Sequence, residues 1–216
     1  MSKLFEFHNP SGTTSSSLTT TTIFVGQTFT PAKSHRISSV KIKVFRSDSF
    51  QGAGGSPGTV TVSIRATAGG VPTGVDLASG TFDGDTLPTP AANAAYTEAV
   101  FSTGVLLVAN TKYAIVVRAS AADNDNRLGW IMDISSPVYT GGNYVQSNNS
   151  GVDWTSQTGW DLAFEEYGGS AGFLWIEGKH LHSTDEDAVE RVFVAADAII
   201  TYEDEVVSNL GNVVYN

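Results

Sequence analysis

Over long stretches of this chain, apolar side chains recur at every second position. Val40, Ile42 and Val44 alternate with Lys41 and Lys43, and Val60, Val62 and Ile64 alternate with Thr61, Ser63 and Arg65. Side chains on a β-strand point to opposite faces in turn, so this period buries one face of each segment and wets the other. The stretch Thr111 to Ser120 is apolar on both sides: Tyr113, Ile115 and Val117 share one face, and Ala114 and Val116 the other, ahead of Arg118. A strand covered on both faces belongs inside a sheet. We therefore expect an all-β fold, a sandwich built around this inner strand.

Composition agrees. Thr, Ser, Gly and Val dominate and Glu/Lys/Ala/Leu helix-forming runs are missing, which favours strands. A chain of 216 residues accommodates one large β domain or a domain with an appendage, and the second is expected. With no cysteine, disulfides, thiolate metal sites and thiol nucleophiles are excluded. Residues 1–129 hold ten Lys/Arg against eight Asp/Glu and residues 130–216 two against fourteen, so the halves carry +2 and −12 of the net −10. Such an acidic half repels phosphate backbones, and nucleic acid is not an expected partner. No apolar run has the length of a bilayer span or an export signal, so no membrane association is expected and release is by lysis or a specialised route.

Four segments follow along the chain. Residues 1–22, ending in a Ser/Thr run, read as an N-terminal arm with little to bury. Residues 23–167 read as the sandwich, with short strands punctuated by Gly and Pro about every ten residues. In it, Gly69 to Gly74 is read as a turn leading into a strand at Leu77 to Phe82, and the glycine-rich 51–58 as a loop. Residues 171–197 read as a small β meander and 198–216 as an extended C-terminal arm suited to strand addition on a neighbour.

Candidate chemistry is sparse. Asp123 and Asp125, in the loop Asp-Asn-Asp-Asn, offer the oxygen ligands a structural calcium would take. Trp130, Tyr144, Trp154 and Trp160, among Gly, Ser, Asn and Asp, are candidates for stacking on sugar rings, with a filled core as the competing use. His180 and His182, with Glu177 or Asp185, read as the polar face of a hairpin rather than a metal site. Glu165 and Glu166 are neighbours pointing to opposite faces of a strand, so they cannot face each other across a sugar. No Ser-His-acid set is suggested by the four histidines, and a non-enzymatic role is expected.

Several motifs in order carry a resemblance: Val25 to Pro31, Val62 to Gly74, Thr111 to Ala119, the Tyr-Thr-Gly-Gly of 139–142, Asp153-Trp154-Thr155 and Asp161 to Phe164. Over residues 23–167 the chain resembles a jelly-roll module of bacterial surface proteins and of phage and metagenomic virion proteins. The Leu174 to His182 stretch is similar to short β repeats of phage virion and fibre proteins. The resemblance implies a jelly-roll-like β-sandwich used for display, adhesion or carbohydrate binding. It leads to the expectation of a structural virion protein, in capsid decoration or at a tail. Its partners would be other virion subunits in a homo-oligomer, for which a trimer is taken. The competing expectation is a module of a bacterial surface protein, extracellular, that binds cell-surface glycan.

Overall fold

The computed structural model describes residues 2–12, 14–49, 54–134 and 139–170, together with the backbone of four strands between 174 and 208. The fold is all-β. One antiparallel sheet holds eight strands: β1 (Lys3–His8), β2 (Ser15–Leu18), β4 (His35–Ser47), β7 (Ala95–Val100), β8 (Leu106–Leu107), β10 (Arg127–Asp133), β13 (Asp161–Leu162) and β14 (Phe164–Ser170). The other holds six: β3 (Phe24–Phe29), β5 (Thr59–Ala68), β6 (Val71–Asp83), β9 (Tyr113–Ala119), β11 (Tyr144–Ser147) and β12 (Thr155–Gln157). The two pack face to face as a β-sandwich.

Alternation decides which side chains meet in the middle. β9 lies between β3 and β5, as an inner strand should. Its Tyr113, Ile115 and Val117 join Val25, Phe29, Val62 and Ile64 in the main core, facing Val40, Ile42, Val44, Leu128, Trp130 and Phe164 of the eight-stranded sheet. Ala114 and Val116 point outward, where Phe24 and Trp154 cover them. The same division splits β10, whose Leu128, Trp130 and Met132 face in while Ile131 packs outside against Phe45 and Ala163.

One parity break needs a physical cause. Ile37 and Val40 are an odd number of residues apart, yet both are buried in the main core. The ladder between β4 and β14 shifts register between Tyr167 and Gly168, which pair with Ser39 and Ile37. That bulge flips the strand by one residue and turns both side chains inward.

Two expectations about the sandwich and its flank are corrected. Residues 1–22 are not a free arm, because β1 pairs with β14 and β2 pairs with β10. A Ser-rich segment needs no apolar face to join a sheet when its backbone supplies the ladder, and Leu18 at its end is fully buried. The turn expected over 69–74 is only Gly69-Gly70, both at positive φ (61° and 84°), as a two-residue hairpin loop requires. Strand β6 starts at once at Val71, and it tolerates Pro72 because it is an edge strand paired only with β5.

Beyond the sandwich, β15 (Leu174–Glu177), β16 (His180–Ser183), β17 (Ile199–Tyr202) and β18 (Glu205–Ser208) form a separate four-stranded sheet in that order. The expected hairpin at 174–183 is present, but β16 and β17 run parallel, so the sheet is not a meander. A parallel pair cannot be joined by a tight turn, and fifteen residues separate the two strands in the chain. Two of these strands fall in the segment expected to be a C-terminal arm. Residues 184–197, the rest of the expected meander, lie outside the described residues.

Candidate functional site

Strand β1 ends at His8, because Asn9 is followed by Pro10, which has no N–H for the ladder. The Tyr96 hydroxyl fixes this end, donating to Asn9 Oδ1 at 3.1 Å and lying 3.4 Å from the His8 carbonyl. His8 pairs with Phe164 across the ladder. The end of β10 places Asp133 opposite Asp161 of β13. Tyr139 packs between these strand ends, edge-on to Phe164 at 5.2 Å and tilted against His8 at 6.1 Å. Together Phe7, His8, Asn9, Pro10, Ser11, Asp133 and Tyr139 line an open recess of about 430 Å³.

Its polar groups are unusual in what they lack. His8 is only 5% exposed, and its Nε2 has no hydrogen-bond partner. The Tyr139 hydroxyl is likewise buried and faces the backbone of Thr30. A buried polar atom left unpaired costs about 1–3 kcal/mol, so such atoms call for an explanation. Burial lowers the His8 pKa, partly opposed by the charge of Asp133, so the ring is neutral at neutral pH. Burial raises that of Tyr139, helped by Glu6, Asp161 and Glu166, so its hydroxyl keeps its proton. Asp161 is 2% exposed and accepts from Gln27 Nε2 at 2.8 Å, while Gln27 Oε1 accepts from the Leu162 N–H at 2.7 Å. Burial pushes the Asp161 carboxyl up to about 6, with Gln27 opposing and Asp133 adding.

A second histidine lies beneath β1. His35 Nε2 is 2.6 Å from Glu166 Oε1, both side chains are fully buried, and the Phe5 ring stacks on the imidazole at 3.7 Å. His35 Nδ1 lies 2.9 Å from the Lys33 carbonyl, so both ring nitrogens are engaged. Burial opposes a charge on His35, but Glu166 outweighs it and the pKa rises. Burial also raises Glu166, against the pull of His35.

The residues singled out in the sequence do not gather in one place. Trp130 is fully buried, with its Nε1–H donating to the Ala163 carbonyl at 2.7 Å, so it fills the core and offers no face to a sugar. Tyr144 is also buried, its hydroxyl donating to Gln146 Oε1 and meeting Ser16 Oγ. Trp160 lies edge-on to Tyr144 at 5.6 Å and is 38% exposed. Trp154 is half-buried over Phe24, Ala114 and Val116 on the outside of the six-stranded sheet, donating to the Gly151 carbonyl.

The acidic loop is held by hydrogen bonds of its own. Asp123 Oδ1 accepts from the backbone N–H groups of Asp125 and Asn126, and the Asn126 amide donates to both carboxylate oxygens at 2.9–3.0 Å. Those donors hold the Asp123 pKa down. Asn126 Oδ1 in turn accepts from the Ser56 N–H, so the loop ties two connections together. Among the described residues, no three His, Asp or Glu side chains are grouped to hold a metal. His180 and His182 fall in a strand whose side chains are outside the described residues.

Sequence reasoning missed His8, Phe7 and Tyr139 as a group. Tyr139 opens the Tyr-Thr-Gly-Gly motif and Pro10 marks the strand stop, but nothing local in the chain brings positions 7–11, 133 and 139 together. No family model matches this chain, and no curated protein is significantly similar to it.

Proposed function

We propose that this chain is a non-enzymatic structural protein of a virion, a β-sandwich displayed on the particle and held there through its C-terminal sheet. The observation that carries the reading is that β15 to β18 share no ladder with the sandwich. Four strands of four residues each have too little surface to make a core alone, so such a sheet needs a surface to lean on. A second subunit supplies one, and closed homo-oligomers are the usual outcome of such self-recognition. The resemblance of residues 23–167 to virion modules supports the same reading. The acidic second half suits a partner surface with basic groups.

Analytical ultracentrifugation tests it. The full chain should associate with rising concentration, and a chain ending at residue 170 should sediment as a folded monomer. A full chain that stays monomeric at every concentration, or a shortened chain that associates equally well, contradicts the proposal.

A further inference from the structure

We propose that one end of the sandwich, a basic pole formed by Lys3, Lys33, Arg36 and Lys112, seats the acidic end of the same chain's C-terminal sheet. The contact lies within one chain, so it goes beyond the assembly reading without resting on it, and it leaves the faces of the C-terminal sheet for a neighbour.

The first observation is where the cations of the sandwich gather. Lys3 pairs with Gly168 and Arg36 with Gly169, both at the end of β14. Lys33 stands just before β4, and with Lys3 it lines an open hollow of about 340 Å³. Lys112 joins them, because the Asn110 N–H donates to the Pro31 carbonyl at 2.8 Å and ties the entry of β9 to the exit of β3. Lys3, Lys33 and Arg36 are all exposed. Glu6 is the acid among them, its Oε1 accepting from the Ala32 N–H at 3.0 Å. The far end of the sandwich has the opposite sign: Asp83, Asp85, Asp123 and Asp125 lie where β6 and β9 run out, and Arg46 and Arg127 there donate to backbone carbonyls.

The second observation is how the C-terminal sheet is strung. Strand β14 ends at Ser170, beside His35, and β15 starts at Leu174, a step of at most about 14 Å. Leu174 pairs with Ser183 and Ser183 with Tyr202, because β15 and β16 are antiparallel and β16 and β17 parallel. The entry to the sheet and the exits of β16 and β17 therefore fall at one end. In the chain, Asp185-Glu186-Asp187 begins two residues after Ser183, and Glu203-Asp204-Glu205 directly follows Tyr202. Both acidic runs are thus tethered to the end of the sheet that joins the basic pole. Residues 171–216 hold nine Asp/Glu against two Lys/Arg, so the segment as a whole carries the complementary sign. A short tether gives such surfaces an effective concentration on the order of millimolar, and opposite charge then holds them together. The acidic far end of a second copy has no such tether.

Zero-length carbodiimide cross-linking of the full chain, read by mass spectrometry, tests this. Natural-abundance and isotope-labelled chains are refolded together first, so that bonds within and between chains are told apart. Lys3, Lys33 or Lys112 should join an acid of 185–187 or 203–205, in bonds within one chain. The yield should fall about fivefold or more in about 1 M NaCl, where charges are screened beyond about 3 Å. Arg36→Glu keeps the three lysines as reporters and should lower the yield about threefold or more. Arg36→Gln retains an N–H for the Gly104 carbonyl that Arg36 now contacts, and it should lower the yield about twofold. Lys43→Glu, further along β4, should leave it unchanged. Absence of these products, products formed only between chains, or a yield indifferent to salt and to both Arg36 variants would overturn the proposal. None of those results touches the assembly reading, which sedimentation decides.

Discussion

His35 and His8 are both buried, both lie against β1, and they end in opposite states. His35 has partners at both ring nitrogens and an aromatic lid in Phe5. His8 keeps one nitrogen without a partner and lines a recess that opens to solvent. One imidazole is thus fully paired within the fold, and the other is buried with a nitrogen unused. A buried polar group satisfied within the fold holds structure together, while one left unsatisfied costs stability.

The largest effect should come from breaking the closed site. His35→Ala leaves the Glu166 carboxyl fully buried without its imidazole partner, which should cost about 3–5 kcal/mol in urea unfolding. His8→Ala removes a ring whose Nε2 makes no bond, and it should cost only about 1–2 kcal/mol. Equal losses at the two positions would erase the distinction between them.

A smaller effect sharpens the electrostatics beside the recess. Asp161 has its pKa raised from 3.8 to about 6, so between those values the native state holds a proton that the unfolded chain has released. Stability contributed by this group is therefore highest below pH 4 and falls as pH rises towards 6. Asp161→Asn keeps an oxygen for Gln27 and removes the charge. It should stabilise the protein by about 2 kcal/mol at pH 7 and by almost nothing at pH 3.5, read from Tm at the two pH values. A loss of stability at pH 7 would mean that the carboxylate is favourably held.

Much of the sandwich was legible in period-two patterns, and the exceptions share a cause. Val40, Ile42, Val44 and the two faces of β9 follow alternation directly. Ile37 does not, because its facing depends on a bulge in a pairing with a strand more than a hundred residues away. The Ser15–Leu18 strand was invisible for another reason: its backbone is recruited by β10 while its side chains carry almost no apolar signal. The aromatics show the limit most clearly. Trp130 and Trp154 look alike in the chain, yet one fills the core and the other covers an outer face, since strand parity and partner decide and composition does not. The recess draws on positions 7–11 and on 133 and 139, more than a hundred residues further on, so its membership follows only from the folded sheet.

The contrast between the two histidines is tested most directly by following their ring protons by NMR in one pH titration of the full chain. His35 is expected to titrate above 6.5 and His8 below it. The sign of the His35 shift also fixes the pH trend, because the stability His35 adds is complete below pH 6.5 and is lost as pH rises through its native pKa. A His8 that titrates with or above His35 would contradict the contrast.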